Sequence, residues 1–174
     1  MMRSDGGPVG CLLIGEMTKG RLWALRDRLD ARGIETVGLS QQDDLLCGAQ
    51  EGLRAARRSG GACIAAEGEL WAAALALAAQ LSVERIVLIL PTDRRNPKNK
   101  WEEQIERLKG FARRNLFFCV SDVLVLELRG DERSDRRIDQ ICRRLCNAKV
   151  RRMPMTEGAL EIAARFLALG KLPG

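Results

Sequence analysis

The chain has 174 residues, of which 46% are hydrophobic and 30% charged, and it carries a net charge of +6 but no histidine. This length and composition fit one compact globular domain with a real core. The lack of histidine excludes a Cys/His zinc site and argues against reactions that depend on an imidazole base. The longest apolar stretch, residues 70–81, is too short to cross a bilayer, so we expect no membrane partner.

Short apolar runs alternate with longer runs of helical character six times along the chain. The apolar runs predict strands at residues 9–14, 35–39, 62–66, 85–90, 123–127 and 150–155. The longer runs predict helices at residues 21–32, 43–58, 69–81, 101–114, 136–146 and 157–169. Gly33 follows the first helix as a stop signal, and Asp43 can cap the second. Residues 116–120 fit neither pattern clearly.

Most of the predicted strands are continuously apolar rather than alternating. Such strands are buried on both faces, which is typical of a parallel sheet covered by helices. The pattern therefore predicts a three-layer α/β/α sandwich with a mainly parallel sheet of about six strands. In sheets of this kind ligands bind beyond the C-terminal ends of the strands, so the loops that follow the strands are the candidates for function.

The N-terminal segment and the cysteines bear on domain limits and location. Residues 1–8 are glycine-rich, end in Pro8 and lack the apolar run of a signal peptide. We expect a flexible lead over residues 1–8 and a single α/β domain over residues 9–174. The six cysteines form no CxxC pair, and they predict reduced structural thiols in a cytoplasmic protein.

The positive charge is concentrated in the second half of the chain. Residues 88–174 hold 19 Lys/Arg and 12 Asp/Glu, against 10 and 11 in residues 1–87. Acidic residues are mixed into the basic clusters, and no aromatic residues interleave with the broader cluster, between Arg129 and Arg152. A solvated basic surface is the favoured interpretation, and binding of nucleic acid or another polyanion is the alternative.

Four segments make the chain resemble the α/β-hydrolase family, from what would be the third strand of that family's sheet onward. Ile14-Gly15-Glu16 stands where the family has a strand running into His-Gly, and residues 23–39 carry a similar W…L…L…G…V run. Residues 62–69 (Ala-Cys-Ile-Ala-Ala-Glu-Gly-Glu), followed by an alanine-rich helix, have the shape of the nucleophile-elbow segment. Residues 123–131 resemble the strand that delivers the acidic member of the catalytic triad.

The resemblance implies the scaffold without its catalytic residues. The family's elbow, G-x-S-x-G, places a serine on a sharp strand-to-helix turn. Here Gly68 stands at the nucleophile position, between Ala66 and Leu70. Glycine tolerates a strained turn, but it has no side chain with which to attack. A one-residue shift would instead place Glu67 there as a carboxylate nucleophile.

Other crevice residues also follow from the resemblance. The acid would be Asp131 or Glu132, with no histidine to orient. Lys19 could replace the base if its pKa were shifted, although a solvated loop lysine is the simpler interpretation. Trp71 could line or fill the crevice, or pack in the core. The expected ligand crevice contains Gly15, Glu16, Lys19, Glu67, Gly68, Glu69, Trp71, Asp131 and Glu132.

The carboxylates of these loops offer a different chemistry. Two or three that converge could bind a cation such as Mg²⁺ or form an acid/base pair. Helix capping and solvation explain the same residues, since acidic side chains such as Glu69 are favoured at helix N-termini. No EF-hand, P-loop or GxGxxG pattern is present, so we predict no cofactor and no metal site.

Three functions follow from these observations. The first is a small, capless, degenerate α/β-hydrolase-like protein, inactive as a serine hydrolase, that serves as a binding or scaffolding module for a small ligand or a protein partner. The second is a hydrolase of an ester or phosphoester that uses crevice carboxylates, with or without a divalent cation. The third is a polyanion-binding protein that uses its C-terminal arginines and lysines. Hydrolase-like connectivity would place the first strand between the second and the third.

Overall fold

The computed structural model describes residues 7–15, 20–39, 44–90, 101–128 and 132–170. The strands are β1 (Gly10–Ile14), β2 (Thr36–Gly38), β3 (Ala62–Glu67), β4 (Arg85–Leu90), β5 (Asp122–Glu127) and β6 (Lys149–Pro154). The helices are α1 (Arg21–Ala31), α2 (Leu45–Ala56), α3 (Trp71–Gln80), α4 (Glu102–Asn115), α5 (Glu132–Arg144) and α6 (Ala159–Leu169). Single 3-10 turns, Gly68–Leu70 and Leu116–Phe118, precede α3 and follow α4.

The strands form one sheet in the order β2-β1-β3-β4-β5-β6, and every pair of neighbours is parallel. β1 therefore lies between β2 and β3, which confirms the connectivity that the hydrolase resemblance implies. A parallel neighbour requires a crossover connection, and the helices supply these crossovers. The predicted α/β class and the number of strands are confirmed.

Alternate residues of each interior strand contribute side chains to two separate hydrophobic cores, one on each face of the sheet. Leu12 and Ile14 of β1 pack with α2, α3, α4 and α5 on one face of the sheet. Cys11 and Leu13 of the same strand pack with α1 and α6 on the other face. Each such Leu or Ile side chain contributes roughly 1.5–3 kcal/mol when fully buried. Two covered faces explain why these strands are continuously apolar.

The alanine-rich helix α3 is buried over nearly its whole length. Its residues from Trp71 to Ala78 are all buried, and it packs against α2 and α4. Small side chains let a helix approach its neighbours closely, so α3 packs on the sheet and against the flanking helices of its layer. This packing fixes the position of the strand-to-helix turn that precedes it.

The structure departs from the sequence prediction at α5. We expected Glu132 in a crevice loop and the helix from Arg136 onward, whereas α5 begins at Glu132 itself. Glu132 and Asp135 lie in its first turn, where carboxylates interact favourably with the helix dipole. The apolar pattern alone missed this turn because its first buried side chain is Ile138.

The edge strand β6 is exposed and basic. Only Val150 and Met153 of this strand are half-buried, unlike the buried interior strands, and Lys149, Arg151 and Arg152 are exposed. Charged side chains on an edge strand discourage pairing with another chain. No helix in the described ranges is long and apolar enough to cross a membrane.

Candidate functional site

The turn that follows the interior strand β3 is built around one glycine. β3 ends at Glu67, and Gly68 is buried with a φ of 64° before the chain passes through a 3-10 turn into α3. That φ lies in the left-handed region, which residues with a side chain rarely adopt. The chain therefore turns sharply at the position that the family resemblance assigns to the nucleophile, and no side chain stands there.

Glu67 lies on the α1 side of this turn. Its carboxylate is 3.9 Å from Arg21 of α1 and its side chain is 23% exposed. Gly15, at the end of β1, is close to it, because a Cβ added to Gly15 would lie 3.4 Å from the Glu67 Cβ. The same added Cβ would overlap the Leu22 Cδ1, so a larger residue here would require the Leu22 side chain to shift.

Glu69 lies on the opposite side, against α4 and α5. One of its carboxylate oxygens pairs with the Lys109 ammonium, and the other is 3.7 Å from the Arg137 guanidinium. Lys109 is only 11% exposed and also pairs with Glu106 at 3.1 Å. Glu67 and Glu69 are thus held by helices on opposite faces of the sheet, an arrangement that does not form an acid/base pair.

A third carboxylate at this edge of the sheet is also paired. Glu127, the last residue of β5, accepts a hydrogen bond of 2.5 Å from Arg152, which donates a second one of 2.6 Å to Asp139. These bonds to Glu127 and then Asp139 raise the pKa of the Arg152 guanidinium. The group therefore forms a structural link between β5, β6 and α5.

A cavity of about 430 Å³ opens beside Gly68. It lies between the start of α3, the end of β4, and the helices α4 and α5. Apolar side chains supply part of its wall: Trp71, Leu90, Leu116, Ile138 and Ile141. All of these are buried. Its volume is within the range of small-molecule binding sites.

Most of the other described lining residues are charged, and all of the charged ones but Glu69 are positive: Lys109, Arg113, Arg133, Arg137 and Arg144. No carboxylate among the described residues forms an ion pair with Arg113, Arg133 or Arg144. The cavity therefore combines an apolar wall with an excess of positive charge.

Of the crevice residues expected from the sequence, the structure brings Gly68, Glu69 and Trp71 together around this cavity. Gly15 and Glu67 lie together on the α1 side instead. Glu132 is exposed at the start of α5 and pairs with Arg136 at 3.8 Å. Glu16, Lys19 and Asp131 lie outside the described residues.

The cavity residues from α4 and α5 were not expected as site residues. Lys109 and Arg113 are four residues apart in α4, and Arg133 and Arg137 are four apart in α5, so each pair shares a helix face. That spacing is visible in the sequence. The packing that turns both faces toward α3 is not, so the sequence indicated only a solvated basic surface or, as the alternative, a polyanion-binding one.

Neither a metal cluster nor an activated thiol is found in the described part of the chain. No group of three or more Asp, Glu or Cys side chains there could hold a metal ion. Burial raises the pKa of the Cys63 thiol to about 11 and that of Cys11 well above its usual range. These thiols stay protonated at neutral pH and are poor nucleophiles.

Comparison with known proteins gives matches at the level of structure. No protein-family model and no curated protein matches the sequence. A dienelactone hydrolase from Anabaena variabilis is 16% identical with a TM-score of 0.61, covering 92% of this chain and 84% of that one. A carboxylesterase structure from Nitrososphaera gargensis is 12% identical with a TM-score of 0.55, covering 90% and 86%. An N-formylmaleamic acid deformylase from Pseudomonas putida is 17% identical with a TM-score of 0.53, covering 84% of each chain.

These structural likenesses agree with the strand order and with the resemblance seen in the sequence. The chain has an α/β-hydrolase-like fold. At these identities the likeness concerns the fold alone, and a shared fold does not fix the chemistry of its site.

Proposed function

We propose that this chain is a binding protein built on an α/β-hydrolase-like fold, without serine-hydrolase activity. The observation that carries the proposal is Gly68, which occupies the strand-to-helix turn where the fold would present its nucleophile. A turn that keeps a left-handed φ but has no side chain preserves the backbone of the elbow without its reaction.

The lack of a base supports the same conclusion. A serine hydroxyl becomes a nucleophile only when a neighbouring base takes its proton, and the sequence contains no histidine. Among the described residues, Ser134 is the serine that lines the cavity, and the chain has no histidine to activate it. Ser121 is buried and donates a hydrogen bond to the Val83 carbonyl.

A carboxylate-based hydrolase is the competing proposal. Its described candidates beside the turn are Glu67 and Glu69, and both are engaged by basic side chains. The arrangement supports a structural role for both carboxylates rather than a catalytic one.

The cavity beside Gly68 supports a small ligand as the binding partner. It is concave and partly apolar, as small-molecule sites are. A cytoplasmic location is part of the proposal, and it rests on the six cysteines, all of which are free thiols.

The proposal is tested by ester and phosphoester hydrolysis. The purified chain, Gly68→Ser and Glu67→Gln would each be incubated with p-nitrophenyl butyrate and with p-nitrophenyl phosphate, the latter with and without Mg²⁺. We expect no turnover above the urea-unfolded chain from any of them, and none from Gly68→Ser because a restored hydroxyl still lacks a base.

Turnover by the wild type would overturn the proposal. If that turnover were lost in Glu67→Gln, the carboxylate hydrolase would be the correct function. Turnover that survives in Glu67→Gln would point to another nucleophile.

A further inference from the structure

We infer that the cavity beside Gly68 binds a small organic anion, consisting of a carboxylate or phosphate group on an apolar body. The inference rests on the proposed binding function and names the chemical class of its ligand. Three features of the cavity support it: its charge, its shape and its apolar wall.

The charge of the cavity is unbalanced on its α4 and α5 sides. Glu69 is engaged by Lys109, the most buried cation of the wall, and more distantly by Arg137. Arg113, Arg133 and Arg144 have no carboxylate partner among the described residues. A concave site lined by one sign of charge concentrates ions of the opposite sign.

The type of cation indicates the type of anion. A guanidinium group presents planar, paired donors that match a carboxylate or a phosphate, and these charge-assisted hydrogen bonds are among the stronger ones in proteins. Arginines outnumber lysines in this wall by four to one. The wall therefore fits an oxyanion better than a compact ion such as chloride.

The arginines of α5 lie on different faces of the helix. At about 100° per residue, Arg133, Arg137 and Arg144 fall within about 40° of one another around the helix axis. These are the α5 arginines that line the cavity, whereas Arg136 and Arg143 do not line it. Arg136 pairs instead with Glu132. The positive charge thus faces a cavity rather than encircling the helix, which favours a small ligand over an extended polyanion.

The apolar wall accounts for the rest of the ligand. Ile138, Ile141 and Leu116 are 1%, 9% and 1% exposed and border the cavity beside the arginines. The apolar body of a ligand would leave water for this lining, a gain that grows with the apolar area of the ligand that is buried and that an inorganic anion lacks. At about 430 Å³ the cavity has room for a group of aromatic size.

Calorimetric titration of the full chain tests the inference with four probes: 1-naphthyl phosphate, 1-naphthoate, 1-naphthol and inorganic phosphate. We expect at least one naphthyl anion to bind, with 1-naphthol and inorganic phosphate at least tenfold weaker. The stronger of the two anions then identifies phosphate or carboxylate as the head group. Binding of 1-naphthol as tight as that of both anions would overturn the inference.

Two double variants of α5 provide a matched pair. Arg133→Gln/Arg144→Gln removes two charges from the cavity wall, and Arg136→Gln/Arg143→Gln removes two from elsewhere on the same helix. We expect the first to weaken anion binding at least tenfold, because each guanidinium donates charge-assisted hydrogen bonds. We expect the second to change binding less than about twofold, since rim charges beyond the site are screened by salt. Equal losses in both variants would overturn the inference.

A single-stranded oligonucleotide serves as the competing ligand. If the oligonucleotide binds more tightly than either naphthyl anion and is weakened by both double variants alike, the basic residues serve an open polyanion surface and the inference is wrong. We expect the oligonucleotide to bind more weakly and not to displace the naphthyl anion.

The same samples separate this inference from the proposed function. Release of fluorescent 1-naphthol from bound 1-naphthyl phosphate would refute the proposed lack of hydrolysis while supporting the anion site. Absence of binding by both naphthyl anions, together with absence of hydrolysis, would refute the anion site and leave the proposed inactivity standing.

Discussion

Replacement of Gly68 by alanine tests whether the elbow turn depends on its left-handed backbone. Gly68 has a φ of 64°, and a residue with a Cβ pays roughly 1–2 kcal/mol to occupy that region. We therefore expect Gly68→Ala to lower the free energy of unfolding by about 1–2 kcal/mol. For a domain of this size that corresponds to a fall in Tm of about 2–8 °C.

Gly110→Ala is the matched control for this substitution. Gly110 lies inside α4, and no atom lies within 4 Å of a Cβ added there. Alanine is the better helix former, so this variant should gain about 0.5–1 kcal/mol. Urea denaturation followed by circular dichroism measures both. If Gly68→Ala were as stable as wild type, or gained stability as Gly110→Ala should, the left-handed turn would not be a feature of the folded protein.

Three further predictions concern a helix cap, a partly buried ion pair and the thiols. Asp44 accepts a hydrogen bond of 2.8 Å from a backbone N–H of α2, which lowers the pKa of its carboxyl. Its contribution is therefore present above about pH 4 and lost as the pH falls through the lowered pKa. In melting curves Asp44→Ala should reduce Tm at pH 7, but progressively less below pH 4, whereas Asp44→Asn keeps the cap. Lys109→Met should cost about 2 kcal/mol in urea denaturation because Glu69 loses its nearest cation, and adding Glu69→Gln should restore most of it. A thiol reagent at neutral pH should label exposed Cys146 and spare Cys63, whose pKa burial raises to about 11, when the product is mapped by mass spectrometry.

Each of these predictions has an outcome that contradicts it. An effect of Asp44→Ala that does not change with pH would mean that charge plays no part in the cap. A Lys109→Met variant with unchanged stability would mean that Glu69 is solvated in the folded state. Labelling of Cys63 at the rate of Cys146 would mean that β3 opens readily to solvent.

The sheet could be predicted because strands that are buried on both faces have continuously apolar sequences. The run at residues 85–90 is apolar after its first residue, and the structure covers β4 on both faces. The exposed edge strand β6 was a weaker prediction for the same reason, since only Val150 and Met153 are half-buried. Strand order followed from the family resemblance, because local patterns do not specify which strands pair.

The turn at Gly68 could also be located from the sequence. A glycine that separates an apolar run from an alanine-rich helix marks a sharp change of direction, and the structure gives it a left-handed φ. The local sequence could not indicate that Glu67 and Glu69 turn to opposite faces of the sheet. That depends on their partners, Arg21 and Lys109, which lie in helices distant along the chain.

The sequence could not predict the cavity, for a related reason. The sequence pattern pointed to the loops that follow the strands, whereas the basic wall comes from the faces of α4 and α5. The spacing of Arg133 and Arg137 shows that they share a helix face. It does not show that the face borders a cavity rather than solvent, which depends on how α5 packs beside α3.

The central claim, that this fold has no working serine nucleophile, is tested most directly with a fluorophosphonate probe that labels activated serines. The folded wild-type chain would be incubated with the probe and its intact mass measured, with an active serine esterase as the positive control. We expect no adduct on this chain, because Gly68 has no hydroxyl and the sequence has no histidine to activate one elsewhere. A stoichiometric adduct on any serine, Ser134 of the cavity above all, would contradict it.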